Sequence, residues 1–360
     1  MYLASFAYSR DNNLNLLRII AALSVLVTHS FALATGSSSA EPLRASLGMT
    51  LGSIAVDIFF IASGFLVTAS LLRTSSIIDY LWARVLRIFP GLLVMLVLTV
   101  FVLGPALSTL PLGEYLSSSQ TYTYLIKCAT LIHGVSYEIP GLFENTPWKR
   151  TVNGSLWTMP IEVQMYALLA VTWVLLSTAR SLREPLLKVI TIACAVVSCL
   201  LVVYFRLAEQ SVAPVLRLLF MFSAGASFFF LKHRIRLSHA AFFLTLTFVT
   251  ISALVNAKVF FVGYTLGIAY MVFYLAYIPA GLMRRYNEFG DYSYGVYIYA
   301  FPVQQSVAAV FQNVSVLEML SISLVVTLML AVLSWHFIER SALAFKNRVV
   351  AGTHRMLSGT

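Results

Sequence analysis

Charge is what this sequence has least of. Only 11% of its 360 residues are Asp, Glu, Lys or Arg, and the 14 acidic side chains are outnumbered by 24 basic ones. A soluble domain carries about 25% charged residues, so this chain cannot build a water-facing surface of ordinary size. Cysteine is scarce as well: Cys128, Cys194 and Cys199 have no metal-ligand spacing and are too few for a disulfide framework, which leaves them as packing residues. Long polar stretches are missing, the most extended being Pro111 to Asn153 around one short apolar segment, and this excludes a separate soluble domain. No period of about 20–50 residues marks a repeat array.

What the chain has instead is apolar sequence, 59% of all residues, with a mean hydropathy of +0.86. A membrane-spanning helix needs about 20 mostly apolar residues, because the hydrocarbon layer is about 30 Å thick and the helix rises about 1.5 Å per residue. That ruler predicts an all-α, polytopic integral membrane bundle of about ten transmembrane helices, over 14–35, 48–72, 88–110, 155–177, 188–206, 214–231, 239–256, 259–283, 292–311 and 316–338. The segment Thr121–Val135 is short and holds Lys127, and reads as a re-entrant or interfacial helix.

The net charge of +10 does not indicate nucleic acid, because the basic residues sit at the ends of apolar runs. Arg10, the Arg73/Arg84/Arg87 loop, Arg180, Arg183 and Lys188, Lys232, Arg234 and Arg236, Arg284 and Arg285, and the C-terminal Arg340, Lys346, Arg348 and Arg355 all fall on one side of a ten-span topology. That side is the cytoplasm, which puts both termini inside. The domain reading is one transmembrane domain over 1–345 followed by a basic cytoplasmic tail over 346–360. The first span is too long, and too interrupted by Arg18 and His29, for a cleaved signal peptide.

An ionisable side chain inside a span costs at least about 2.5–3.5 kcal/mol, so it faces protein and often marks function. Arg18, His29, Asp57 and Glu162 are such residues. Arg18 and His29 share one helical face, about 16 Å apart along the axis. His29, Asp57 and Glu162 stand at similar depths, about six, nine and seven residues from the outer ends of their spans. A neutral imidazole beside a carboxylate is a prepared general base; the alternatives are a histidine bonded to a helix carbonyl, a proton relay through Asp57 and Glu162, or carboxylates paired with Arg18. Arg84 and Arg87, spaced i and i+3 ahead of Phe89-Pro90, offer planar donor forks suited to phosphate oxygens. With Arg18 they point to an anionic cofactor at the cytoplasmic mouth, with no metal implied.

These residues resemble the membrane acyltransferase-3 family, whose members include O-acetyltransferases of bacterial O-antigens, exopolysaccharides and nodulation factors. The resemblance is carried by Arg18-x10-His29, by Val56-Asp57-Ile58-Phe59-Phe60-Ile61-Ala62-Ser63-Gly64-Phe65-Leu66, and by Arg84 and Arg87 leading to Ile88-Phe89-Pro90. It continues through Asn153-Gly154-Ser155-Leu156-Trp157-Thr158 up to Glu162, Tyr292-Ser293-Tyr294-Gly295-Val296-Tyr297 running to Phe301-Pro302-Val303, and Phe337-Ile338-Glu339-Arg340. Ala300 departs from the pattern, since many relatives carry a histidine before the Phe-Pro pair; His29 is left as the main candidate.

The resemblance implies acyl transfer, usually of acetyl, from cytoplasmic acyl-coenzyme A to a sugar hydroxyl of an envelope or extracellular polysaccharide or its lipid-linked precursor, in a bacterial inner membrane. Acetyl-CoA is then a co-substrate, and the partners are the glycan acceptor and the bilayer. His29 becomes the general base, oriented or charged by Glu162 or Asp57; Arg18, Arg84, Arg87, Tyr294 and Tyr297 become donor contacts; Ser155 and Trp157 become contacts to the substrate as donors toward an oxyanion, and separately the external loop with Trp148, Lys149 and Arg150 offers an aromatic and basic contact to the acceptor. The competing expectation from the same residues is a proton-coupled transporter using Asp57, Glu162 and His29.

Overall fold

The computed structural model describes residues 1–9, 11–74, 76–179 and 181–358; Arg10 and Arg180, both counted above on the cytoplasmic side, lie outside the described residues. The described chain is helical, and its only β feature is an isolated bridge between Tyr2 and Arg236. The helices used below are α1 (Leu14–Thr35), α2 (Leu51–Arg73), α3 (Ile77–Leu98), α4 (Ser119–Thr130), α5 (Thr158–Leu175), α6 (Arg183–Leu207), α7 (Pro214–Phe230), α8 (His239–Val255), α9 (Ala257–Tyr277), α10 (Ser293–Val310), α11 (Val316–Ser334) and α12 (Lys346–Ser358).

Each of the ten apolar stretches overlaps one helix, leaving α4 and α12 outside the set. Among the described residues seven helices are long and apolar enough to cross a membrane, so this is a multi-pass membrane protein. The other three fall short for identifiable reasons. Helices α7 and α8 are apolar but 17 residues long, and α10, at 18 residues, is diluted by Tyr, Ser and Gln side chains.

Caps set many of the boundaries. Thr50 accepts from the Ser53 backbone N–H, and Ser53 returns a bond to Thr50, forming a capping box for α2. Ser315 and Glu318 do the same for α11. Asn256 ends α8 and accepts from the N–H groups of Lys258 and Val259, so one residue turns the chain into α9. Ser76 caps α3, with Asp79 in its first turn beside the positive end of the helix dipole.

The α3 cap corrects the sequence expectation of a loop holding Arg73, Arg84 and Arg87. Arg73 ends α2, whereas Arg84 and Arg87 are on α3 and Pro90 is inside it. Helix α3 runs on through a π-helical turn, Thr99–Leu103, into Gly104–Leu107. Helix α4 has 12 residues, too short to span, with Lys127 exposed. The basic tail is an ordered helix: the Trp82 indole N–H donates to Thr353 Oγ1 at 3.0 Å, and His354 lies 3.7 Å from Asp79, so α12 packs on α3.

The chain forms two compact units, each drawn from three stretches of sequence. The first comprises Met1–Ala21, Leu43–Thr74 and Gln164–Gly290; the second comprises Ala22–Pro42, Ser75–Val163 and Asp291–Thr360. In the first unit α2 and α7 meet at two glycines. A Cβ on Gly64 would stand 1.9 Å from the Phe222 carbonyl oxygen and one on Gly225 2.0 Å from that of Ile61, so any side chain there would force the backbones apart. Gly263 and Gly267 likewise face Ser252 and Thr245 of α8. In the second unit the core centres on α10, where Phe301, Val307 and Ala308 pack with Leu33, Val314 and Met319.

Candidate active site

Helix α10 organises the second unit. Tyr294, Tyr297, Phe301 and Gln304 follow one another at i, i+3, i+7 and i+10, which places them on one stripe of the helix. Each meets a different segment. Tyr294 donates to the Ile88 carbonyl of α3 at 2.6 Å. The Tyr297 hydroxyl is 2.8 Å from the Ser155 carbonyl oxygen and 2.6 Å from Thr158 Oγ1. Phe301 packs edge-on against the His29 ring, with centroids 5.1 Å apart at 76°. The Gln304 amide donates to α1. On the opposite face Tyr299, Pro302 and Ser306 line an apolar groove of about 470 Å³ with Met95 and Thr99 of the α3 region.

The segment Asn153–Trp157 is held against the same stripe. Asn153 is buried, its amide donates to the Ile298 carbonyl at 2.9 Å, and its Oδ1 accepts from the Ser155 N–H at 3.1 Å. Gly154 has no room for a side chain, because a Cβ would lie 2.6 Å from the Phe301 ring. Phe301 therefore touches both the His29 ring and the Gly154 backbone. Ser155 Oγ and His29 Nδ1 are buried, and neither has a hydrogen-bond partner among the described residues. An unpaired buried polar atom costs about 1–3 kcal/mol, and here one belongs to the imidazole that packs on Phe301 and the other to the residue after Gly154.

Glu162, half-buried on α5, lies within electrostatic reach of the Tyr294 and Tyr297 hydroxyls. At the start of α10, Asp291 Oδ2 accepts from Arg87 at 2.5 Å while Oδ1 accepts from the Ser293 hydroxyl and N–H. The Arg87 guanidinium carbon is 6.0 Å from the Tyr294 ring centroid, and Arg84 is within electrostatic reach of the Tyr80 hydroxyl. Arg87 thus shares its donor fork with a protein carboxylate. Trp157 is half-buried. Trp148 packs on the cluster containing Leu33 and Phe301, and the Gln305 amide grips the Trp148 and Thr151 carbonyls at 2.7 Å each.

The second unit therefore gathers His29, Glu162, Ser155, Trp157, Tyr294, Tyr297, Arg84, Arg87 and Trp148, while Arg18 and Asp57 belong to the first. Helix α1 runs through both, carrying Arg18 in the first unit and His29 in the second. Asp57, fully buried on α2, accepts from the Tyr264 hydroxyl at 2.9 Å and pairs with Arg217 Nε at 3.4 Å. No carboxylate hydrogen-bonds to His29 Nδ1 among the described residues. Arg217, Gln304 and Gln305 escaped the sequence reading. Arg217 was within reach of the ruler that found Asp57, being a charge inside an apolar run, whereas the glutamines are uncharged and passed unseen.

The family's sequence model, described as an acyltransferase domain, matches residues 11–338. The chain belongs to the acyltransferase-3 family. Among curated proteins it is similar to an "O-acetyl transferase" of Shigella phage Sf6, 29% identical over 340 residues that cover 92% of this chain and 96% of that protein. It is also similar to "Nodulation protein 10" of Rhizobium leguminosarum bv. viciae, 28% identical over 368 residues covering 94% and 95% of the two chains. No solved structure matches it. With its apolar helices, this acyltransferase-3 member is a membrane acyltransferase.

Proposed function

We propose that the protein carries an acyl group, acetyl by preference, from cytoplasmic acyl-coenzyme A to a hydroxyl of an envelope or extracellular polysaccharide or its lipid-linked precursor. It does so in a bacterial inner membrane, through ten crossings with both termini inside. The observation that carries this reading is the His29–Phe301–Gly154 contact, which brings a half-buried imidazole with an unpaired nitrogen beside the turn holding Ser155. The related phage O-acetyl transferase supports the choice of acetyl.

In the proposed reaction His29 takes the proton of the acceptor hydroxyl as its oxygen attacks the thioester carbonyl, and the coenzyme leaves as a thiol after the proton is returned to it. Negative charge on the carbonyl oxygen during attack calls for a donor; Ser155 and Trp157 are assigned to it. Glu162 supports the charged imidazole through its field. Arg84 and Arg87 are assigned to the coenzyme phosphates, as is Arg18 by its place in the Arg18-x10-His29 motif, and Tyr294 and Tyr297 to the donor's path along α10. Proton-coupled transport through Asp57, Glu162 and His29 is the weaker reading, because Asp57 already satisfies Arg217 and Tyr264 within its own unit.

The test is transfer of label from radiolabelled acetyl-coenzyme A into envelope glycans by purified protein in lipid, wild type against His29→Ala. The expected result is label in glycan with the wild type alone, at equal protein abundance. Transfer by His29→Ala at the wild-type rate would remove His29 from the chemistry, and substrate flux across vesicles without transfer would select transport.

A further inference from the structure

Gln304 is fully buried on α10, and so are both of its partners on α1. Its Nε2 stands 2.8 Å from the Leu26 carbonyl and 2.7 Å from Ser30 Oγ, while Ser30 Oγ stands 2.9 Å from the same carbonyl. A carbonyl oxygen only accepts, which fixes the amide with its nitrogen toward α1. The roles then close without conflict: one amide N–H goes to Leu26 O, the other to Ser30 Oγ, and the Ser30 hydroxyl donates to Leu26 O. The three groups form a ring that brackets His29, with Leu26 before it and Ser30 immediately after it.

We infer that Gln304 is a positioning residue for His29, fixing the turn of α1 that carries the imidazole while Phe301, one turn earlier on the same stripe of α10, fixes the ring. This rests on the reading of His29 as the base.

Stability alone gives no reason for an amide at this position. Gln304 Oε1 is buried with no hydrogen-bond partner among the described residues, and a buried unpaired acceptor is unfavourable. An apolar side chain of similar length would remove that orphan. It would also leave Ser30 and Leu26 bonded to each other, so no donor on α1 is stranded. What it would remove is the tie between α1 and α10 at the level of the imidazole. A hydroxyl being deprotonated must lie within about 2.6–3.2 Å of its base, and a misplacement of about 1 Å costs about 10²-fold in rate.

The experiment measures kcat and KM for acetyl-coenzyme A, together with the thermal midpoint, for wild type, Gln304→Met, Ser30→Ala and His29→Ala, all as full-length protein in lipid. The expected result is a kcat about 10²-fold lower in Gln304→Met, a smaller loss in Ser30→Ala, KM within about twofold, and midpoints close to wild type for both. If His29→Ala is inactive while Gln304→Met and Ser30→Ala keep wild-type kcat, the positioning role is overturned and the base assignment stands. If Gln304→Met loses kcat only together with its thermal midpoint, and Ser30→Ala keeps full kcat, Gln304 is a packing residue and the inference fails. If His29→Ala stays active, the base assignment itself fails and takes this inference with it.

Discussion

Gly154→Ala is the smallest change that should disturb the proposed centre without touching a polar atom. The added Cβ would lie 2.6 Å from one Phe301 ring carbon and 2.9 Å from the next, about 0.8 Å short of ordinary van der Waals contact. The ring cannot simply swing aside, since it packs on the His29 imidazole and lies in the cluster with Leu33 and Met319. Either the Asn153–Trp157 turn retreats or the phenyl moves into the imidazole. Overpacking of this kind costs about 1–3 kcal/mol of stability. A displacement close to 1 Å between base and substrate costs about 10²-fold in rate. The expected outcome is therefore a protein that inserts and stays folded, with a modestly lower thermal midpoint and a kcat reduced about 10²-fold. The assay is label transfer from acetyl-coenzyme A at saturating donor, alongside the midpoint in detergent. Adding Phe301→Leu to Gly154→Ala should recover part of the midpoint, because the shorter side chain vacates the colliding ring carbons. A Gly154→Ala protein with wild-type kcat would refute the argument that Phe301 couples this turn to His29.

Hydropathy located the helices well because lipid imposes length and apolarity together, and α1 was legible at both ends. It failed at α3. The apolar run begins at Ile88, but the helix begins at Ile77, since a helix continues into polar surroundings for as long as its caps and hydrogen bonds hold, and Ser76 supplies that cap. The same cause misplaced Arg84 and Arg87 in a loop. At the site, intramembrane charge picked out His29, Asp57 and Glu162 but said nothing of their partners. Asp57 meets Tyr264 across 207 positions of sequence, and no local pattern encodes such a contact. Depth along each span carries no information about azimuth or about partners; Asp57 and His29 belong to different units. Neutral polar residues were the larger omission. Gln304 and Gln305 make long-range bonds within the second unit, yet a search confined to ionisable groups passes over them.

Two further predictions separate chemistry from packing. Cys128, on α4 outside the spans, is buried and its thiol is pushed up to about 11 by burial; at pH 8 about 0.1% is thiolate, so maleimide should label it only after denaturation, and rapid labelling of native protein would contradict the packing of α4. The Asp57–Arg217 pair offers the sharper case. Asp57 is fully buried and Arg217 15% exposed at the side chain, so removing one partner strands a charge in a medium that cannot solvate it. Arg217→Met should cost about 3–5 kcal/mol, whereas replacing both members with apolar residues is often neutral. Asp57→Leu combined with Arg217→Met should therefore recover most of the thermal midpoint that Arg217→Met loses. Single variants as stable as wild type, or a double variant worse than either single one, would refute the structural reading of the pair. Activity then divides the two roles open to Asp57: a folded double variant that still transfers label shows that Asp57 holds helices α2, α7 and α9 together through Arg217 and Tyr264, while a folded but inactive one returns the carboxylate to the chemistry.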